Sequence, residues 1–252
     1  MAKAGPAEPA VSTRYAVLCC LCMLRQRSSY DADVVTGLGA TRGVRARLGR
    51  LMWLKALGTT AFMAAFFVAY FHLLRDPAYP VHVMALTALD HWIAFQPQAL
   101  FVYFSLWFYV ALPPALLEQR HELAGYGAWV GALCVAGLLC FYFWPTAIPP
   151  NPIDASEHAG FALLRGVDAA GNACPSMHVA TATFSAVWLD RLLRQMDLAP
   201  GWRVFNGLWL LGIVWSTVAV RQHVALDAGA GLLLGLAFAL PSVGWHRRAM
   251  AV

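Results

Sequence analysis

Six stretches of the chain are almost wholly apolar over close to the thickness of a bilayer: 56–74, 99–117, 123–144, 176–189, 204–220 and 224–243. A helix needs about 20 mostly apolar residues to cross the hydrocarbon core, so the pattern predicts six spanning helices. The fourth stretch is short and must continue through Asp190 and Arg191, whose charged heads can snorkel to the interface. Pro113 and Pro114 predict a kink or an end in the second. Segment 15–24, bracketed by Arg14 and Arg25, is too short to span and reads as interfacial. No small-residue cleavage site follows to make it a signal peptide. The predicted fold class is all-α, an integral membrane six-helix bundle.

Composition supports this and charge orients it. Of 252 residues, 60% are apolar and 12% charged. A soluble domain carries about 25% charged residues, so a water-soluble globule, a disordered chain and a nucleic-acid coat are excluded together. Of the eighteen Lys and Arg, all but Arg75, Arg165 and Arg221 fall on one side of the predicted topology. Positive charge stays cytoplasmic, which puts both termini inside. The expected organisation is a basic cytoplasmic region over 1–50, a membrane domain over 51–245 and a short cytoplasmic tail over 246–252. The net charge of +5 then orients the protein, with the N-terminal region placed to touch anionic lipid. No nucleic-acid partner is expected, and nothing in the pattern speaks to oligomeric state. Cys19, Cys20 and Cys22 share one apolar run without metal-like spacing and read as small buried residues.

Chemistry concentrates on the predicted outer face. Loop 75–98 holds His82, Asp90, His91 and Trp92; of these Asp90, with apolar neighbours, is the best placed for substrate contact. Loop 145–175 opens Pro-rich, and Asp154 with Glu157 forms a capping-box pattern that predicts a short helix towards Arg165. At thirty-one residues it exceeds a mere connection, and such loops are often binding loops or lids. Segments 172–178 and 216–227 bring polar residues to span ends, where ionisable groups are costly and default to function. Hydropathy and charge bias put both at one depth and on one face.

The spacing within them has a physical meaning. His223 and Asp227, four apart, share a helix face, so the carboxylate can fix the imidazole tautomer and leave one nitrogen free. Ser176, with the N–H groups of Met177 and His178, stands at a Pro-marked helix start, a ready anion site. Arg221 supplies a nearby cation. Two histidines, one nucleophile-like and one acid-like, beside an anion cradle suggest phosphoryl transfer. The plain structural readings stand beside these. Ser176 is also a natural N-cap, His223–Asp227 a possible interhelical bond, and Arg221 a snorkelling side chain. Gly229, Gly231 and Gly235 read as sites of close helix packing.

At these residues the chain resembles the type 2 phosphatidic acid phosphatase superfamily. Pro175-Ser176-Met177-His178 is similar to its P-S-x-H motif and His223-Val224-Ala225-Leu226-Asp227 to its H-x-x-x-D. Trp144-Pro145-Thr146 resembles an aromatic-Pro-Thr turn of several bacterial members. The resemblance implies that His223 attacks phosphorus, Asp227 orients it and His178 protonates the leaving alkoxide. It implies no metal or other cofactor. It departs from the family at the cations: the K-x6-R-P motif is absent, and Thr217 stands where an Arg is usual. Arg221, Arg165 or Arg75 would have to substitute. The expected activity is a phosphatase on a lipid or isoprenoid phosphate, with its site on the extracytoplasmic face of a plasma or inner membrane. The alternatives are a phosphotransferase resembling the inositol phosphorylceramide synthases, a scaffold or transporter without turnover, and a metal site on His178, His223 and Asp227.

Overall fold

The computed structural model describes residues 43–150 and 171–249. Segment 15–24, the Cys19-Cys20-Cys22 run, the Asp154–Glu157 capping pattern and Arg165 lie outside the described residues. Contacts divide the chain into Met1–Arg45 and Ala46–Val252, and the description below concerns the second unit.

The architecture is all-helical. Its long helices are α1 (Met52–Arg75), α3 (Leu100–Leu116), α4 (Arg120–Phe143), α5 (Met177–Gln195), α6 (Pro200–Ala219) and α7 (Ala225–Ala249), each close to one apolar stretch of the sequence. A short α2 (Ala88–Trp92) sits in the loop after α1. Pro113 and Pro114 lie inside the last turn of α3, which ends at Leu116, so the prolines mark a terminus more than a kink. Among the described residues, four helical stretches are long and apolar enough to cross a membrane: Met52–Arg75, Pro97–Leu116, Arg120–Phe143 and Ala225–Trp245.

The apolarity of α5 and α6 is lower for a physical reason. Helix α5 is packed against α3, α4, α6 and α7 and buries residues on every face, so protein surrounds it where lipid would otherwise lie. Polar side chains on such a helix find protein partners. Asn206 of α6 donates from Nδ2 to Ala186 O at 3.0 Å and accepts from the Tyr109 hydroxyl at 2.6 Å. The Trp188 indole donates to Ser242 Oγ at 2.8 Å. Lipid gives helices no hydrophobic reason to associate, so close packing and bonds of this kind must hold them.

Glycine sets the closest approach. A Cβ at Gly231 would collide with the carbonyl of Ser176, and one at Gly235 would lie 2.7 Å from Thr183 Cβ. Gly229 meets nothing within 4 Å. Two of the three glycines of α7 therefore seat it against α5, and the third does not.

Helix α1 is the exception to this tight packing. It buries only Tyr70 and Lys55, near its two ends. At the first, the Tyr70 carbonyl accepts from Asn172 Nδ2 at 3.1 Å. At the second, Lys55 Nζ donates to Arg47 O at 2.7 Å and Ala115 O at 2.6 Å. Between these anchors the helix's residues are exposed or half-buried, with Phe67 reaching Trp107 of α3 at 5.9 Å between ring centroids.

Two short strands complete the fold. β1 (His82–Val83) pairs in parallel with β2 (Thr146–Ala147), His82 opposite Thr146 and Val83 opposite Ala147. This places the Trp144-Pro145-Thr146 turn beside the segment leading into α5. Ala173 N donates to Thr146 O at 3.1 Å and Cys174 N to Thr146 Oγ1 at 2.7 Å.

Candidate active site

Both histidine motifs meet at the end of the bundle where α5 and α7 begin. Ser176 is the N-cap of α5, and its Oγ accepts from Val179 N at 3.3 Å. Its own amide donates to the carbonyl of Asp227 at 3.0 Å. His178 thus enters the first turn of α5 directly across from the first turn of α7. Met177 packs its sulfur against Gly137, where a Cβ would leave no room.

His223 precedes α7, in the turn that closes α6. Arg221 N donates to Val218 O at 3.0 Å and Gln222 N to Thr217 O at 3.1 Å. These are the paired bonds of a Schellman ending. The carbonyl of Thr217 also accepts from His223 N at 3.1 Å, and its hydroxyl donates to Val214 O at 2.8 Å. The motif requires a left-handed residue after the helix, usually Gly, and here Arg221 takes it with φ 58°. Its guanidinium donates to the carbonyls of Asp90 at 2.8 Å and Ile93 at 3.0 Å, bonds that help to offset the cost of that conformation.

Asp90 completes the clamp from the other side. Its Oδ2 accepts from the amide and hydroxyl of Thr87, each at 2.7 Å, and its Oδ1 accepts from Ala225 N at 2.7 Å. A carboxylate so placed caps the first N–H of α7. Burial pushes the Asp90 carboxyl up, but hydrogen bonds from Thr87 and Ala225 and the charge of Arg221 outweigh it and hold the group below the usual carboxylate range. The two sequence candidates for substrate contact in this region, Asp90 and Arg221, therefore grip the turn that carries His223.

A continuous line of hydrogen bonds runs through the site. His223 Nδ1 lies 3.1 Å from Asp227 Oδ2, His223 Nε2 lies 3.0 Å from His178 Nδ1, and His178 Nε2 lies 3.0 Å from the Tyr103 hydroxyl. The Asp227 carboxylate accepts, so His223 carries its proton on Nδ1 and presents a lone pair at Nε2. Asp227 is fully buried and His223 is 6% exposed. Asp227 Oδ1 makes no hydrogen bond among the described residues, which leaves the carboxylate one strong acceptor direction, towards His223. Nearby Cys174 does not compete as a nucleophile. Burial, reinforced by Asp227 and Cys140, pushes its thiol up to about 11, far from the thiolate form.

From His178 and His223 a cavity of about 830 Å³ runs between α1, α3, α4 and α5. Apolar side chains such as Phe66, Trp107 and Val130 line it, and its far end reaches Lys55 and Arg120. Tyr70 and Lys55, both in the lining, are fifteen residues apart on α1, or about 22 Å along the helix. The space alongside α1 is thus continuous with the histidines.

Of the residues singled out in the sequence, Ser176, Met177, His178, Thr217, Arg221, His223, Asp227 and Asp90 converge here. Nothing in the sequence singles out Tyr103 or Lys55 for this site. A tyrosine near the end of an apolar stretch reads as an interface anchor, and no spacing rule ties it to a histidine far along the chain.

The family model of the PAP2 superfamily matches residues 127–251. This segment carries His178, His223 and Asp227, and with it the chain belongs to that superfamily. Members are generally phosphatases or phosphotransferases. No curated protein and no solved structure gives a significant match to the chain.

Proposed function

We propose that the protein is an integral membrane phosphatase acting on a lipid or isoprenoid phosphate through a phosphohistidine at His223. One observation carries this reading: the Asp227–His223–His178 line of hydrogen bonds opens into an apolar cavity of about 830 Å³. The pairing of nucleophile, orienting carboxylate and second histidine is that of covalent catalysis. An apolar chamber beside it suits a substrate whose phosphate is tethered to a long hydrocarbon.

In this reading His223 Nε2 attacks phosphorus as the bond to the leaving oxygen breaks. His178 gives its Nδ1 proton to that oxygen, then accepts a proton from the water that releases phosphate from His223. Asp227 holds the imidazole and stabilises the positive charge it gains. Ser176 and the first-turn amides of Met177 and His178 face the phosphoryl oxygens at the helix start. Six helices cross the bilayer with both termini cytoplasmic, and the site lies at the extracytoplasmic headgroup level. The substrate tail lies in the cavity.

Purified protein is offered phosphatidic acid, a lysolipid phosphate and a prenyl diphosphate, with free phosphate and lipid products both identified and a chelator arm included. Phosphate release from at least one, insensitive to chelator, is the expected result. Undiminished turnover by His223→Ala would remove the proposal.

The engagement of Arg221 with two carbonyls favours a second reading to be tested alongside. A site with few cations near the phosphate suits transfer to an alcohol headgroup, as in the transferases the motifs resemble. A lipid phosphodiester in place of free phosphate distinguishes it.

A further inference from the structure

We infer that Tyr103 is a positioning residue for the acid–base histidine, fixing which nitrogen of His178 trades protons with the substrate. The inference rests on the proposed phosphohistidine chemistry and adds a residue outside the matched segment 127–251.

The argument starts from the proton inventory. His223 keeps its proton on Nδ1, donating it in a hydrogen bond to Asp227 Oδ2, and presents a bare Nε2. His178 Nδ1, 3.0 Å away, must therefore carry the proton of that contact. The other nitrogen, Nε2, faces the Tyr103 hydroxyl at 3.0 Å. Tyr103 is 1% exposed, and its ring lies tilted at 44° to the imidazole with centroids 5.2 Å apart, so the hydroxyl has little freedom to leave. It is seated by Ala99, Leu100, Ala219 and Val220, which joins the start of α3 to the end of α6.

A hydroxyl both accepts and donates, and this matters through the cycle. In the acid form, imidazolium, Nε2–H donates to Tyr103 Oη and Nδ1–H faces the leaving oxygen. As the phosphorus–oxygen bond breaks, its electron pair stays on the leaving oxygen, which takes the Nδ1 proton. His178 is then neutral with its remaining proton on Nε2, still bonded to Tyr103. The bare Nδ1 faces the phosphohistidine and accepts a proton from the attacking water. That returns the imidazolium, and no net proton is gained or lost by the pair. Without the hydroxyl the imidazolium loses the acceptor of its Nε2–H, so fewer molecules hold the Nδ1 proton that the leaving oxygen needs. Neutral His178 is also free to hold its one proton on Nδ1, and the base is then on the wrong side. A wrong tautomer is among the most damaging single faults in histidine catalysis.

The test compares two leaving groups in Tyr103→Phe, reading the rate of phosphohistidine formation by rapid quench. An alkyl phosphate needs a proton from His178 as its oxygen departs, whereas p-nitrophenyl phosphate leaves unaided. Formation from the alkyl substrate is expected to fall about tenfold or more with KM changed less than twofold, while formation from the aryl substrate falls far less. Equal losses on both, with an unchanged thermal midpoint, would overturn the inference, and so would no loss on either. If the variant does not fold, replacement of Tyr103 by 3-fluorotyrosine keeps the packing and changes only the hydroxyl's acidity. It must then alter the alkyl rate selectively, and an unaltered rate is equally fatal. A parallel His223→Ala sample separates the two levels. If it still turns over, the phosphohistidine reading fails; if it is inactive and Tyr103→Phe behaves as wild type, only the role of Tyr103 fails.

Discussion

The amide of Ser176 donates to the carbonyl of Asp227 at 3.0 Å, so the two histidine motifs are joined through their backbones. This bond sets His178 and His223 face to face before any side chain contributes. Gly231 permits it, since a Cβ at that position would meet the carbonyl of Ser176.

Enlarging Gly231 should therefore disturb the site through packing. Gly231→Val is expected to cost about 1–3 kcal/mol of stability by forcing α5 and α7 apart. Gly229→Ala, whose methyl meets open space, should be neutral. Thermal unfolding in detergent of the two variants decides this, and equal midpoints would refute the close approach.

Replacing Asp227 by Asn should preserve the fold and slow the chemistry. The amide can donate to His223 Nδ1 and so stabilise the tautomer with its proton on the attacking nitrogen. A loss of roughly 10²–10⁴ in kcat is expected, against a nearly complete loss for His223→Ala. Trapped phosphohistidine, measured by acid-labile label, should be absent from the His223 variant and form slowly in the Asp227 one. Rapid labelling of Asp227→Asn would contradict the orienting role.

Acid should weaken the turn that carries His223. The Asp90 carboxyl is held below its ordinary range, so the folded state binds its proton less readily than the unfolded state. Its contribution is complete above the unfolded pKa of about 4 and is lost as pH falls through the lower folded value. Asp90→Asn should flatten that part of the pH–stability curve and lower stability at pH 7 by about 1–3 kcal/mol. A variant that kept the wild-type slope below pH 4 would exclude Asp90 as its source.

Gly58 and Gly127 line the cavity, and a Cβ at either meets nothing within 4 Å. Gly127→Leu should fill part of the chamber without disturbing its walls. Substrates with long chains are expected to lose about tenfold in kcat/KM while short-chain analogues keep theirs. An equal response across a chain-length series would mean that the tail lies elsewhere.

Much of this was readable in the residue pattern, because membrane helices announce themselves by length and apolarity. The two histidine motifs were equally visible, since each lies within a few residues of chain. What escaped were contacts between distant segments. Asp90 stands out in the sequence by its apolar neighbours, yet its partner, the Ala225 amide, lies 135 positions away. Arg221 reads in the sequence simply as a nearby cation, because charge has no direction there; the bonds from its guanidinium to the carbonyls of Asp90 and Ile93 are invisible at that level. Helix α5 looked marginal as a span for a related reason: apolarity reports exposure to lipid, and α5 is enclosed by protein.

The matched segment begins at Gly127, within α4, and that boundary divides the cavity lengthwise. On one side lie α5 and the histidines, the proposed machinery for breaking a phosphate bond. On the other lie α1 and α3, the strap pinned at Tyr70 and Lys55 and the helix bearing Tyr103. The two stretches meet at Tyr103, whose hydroxyl reaches His178, and at Asp90, which grips the turn carrying His223. In the proposed reading, new greasy cargo could be accommodated by redrawing the walls of the first half, provided Tyr103 and Asp90 keep their places beside the histidines.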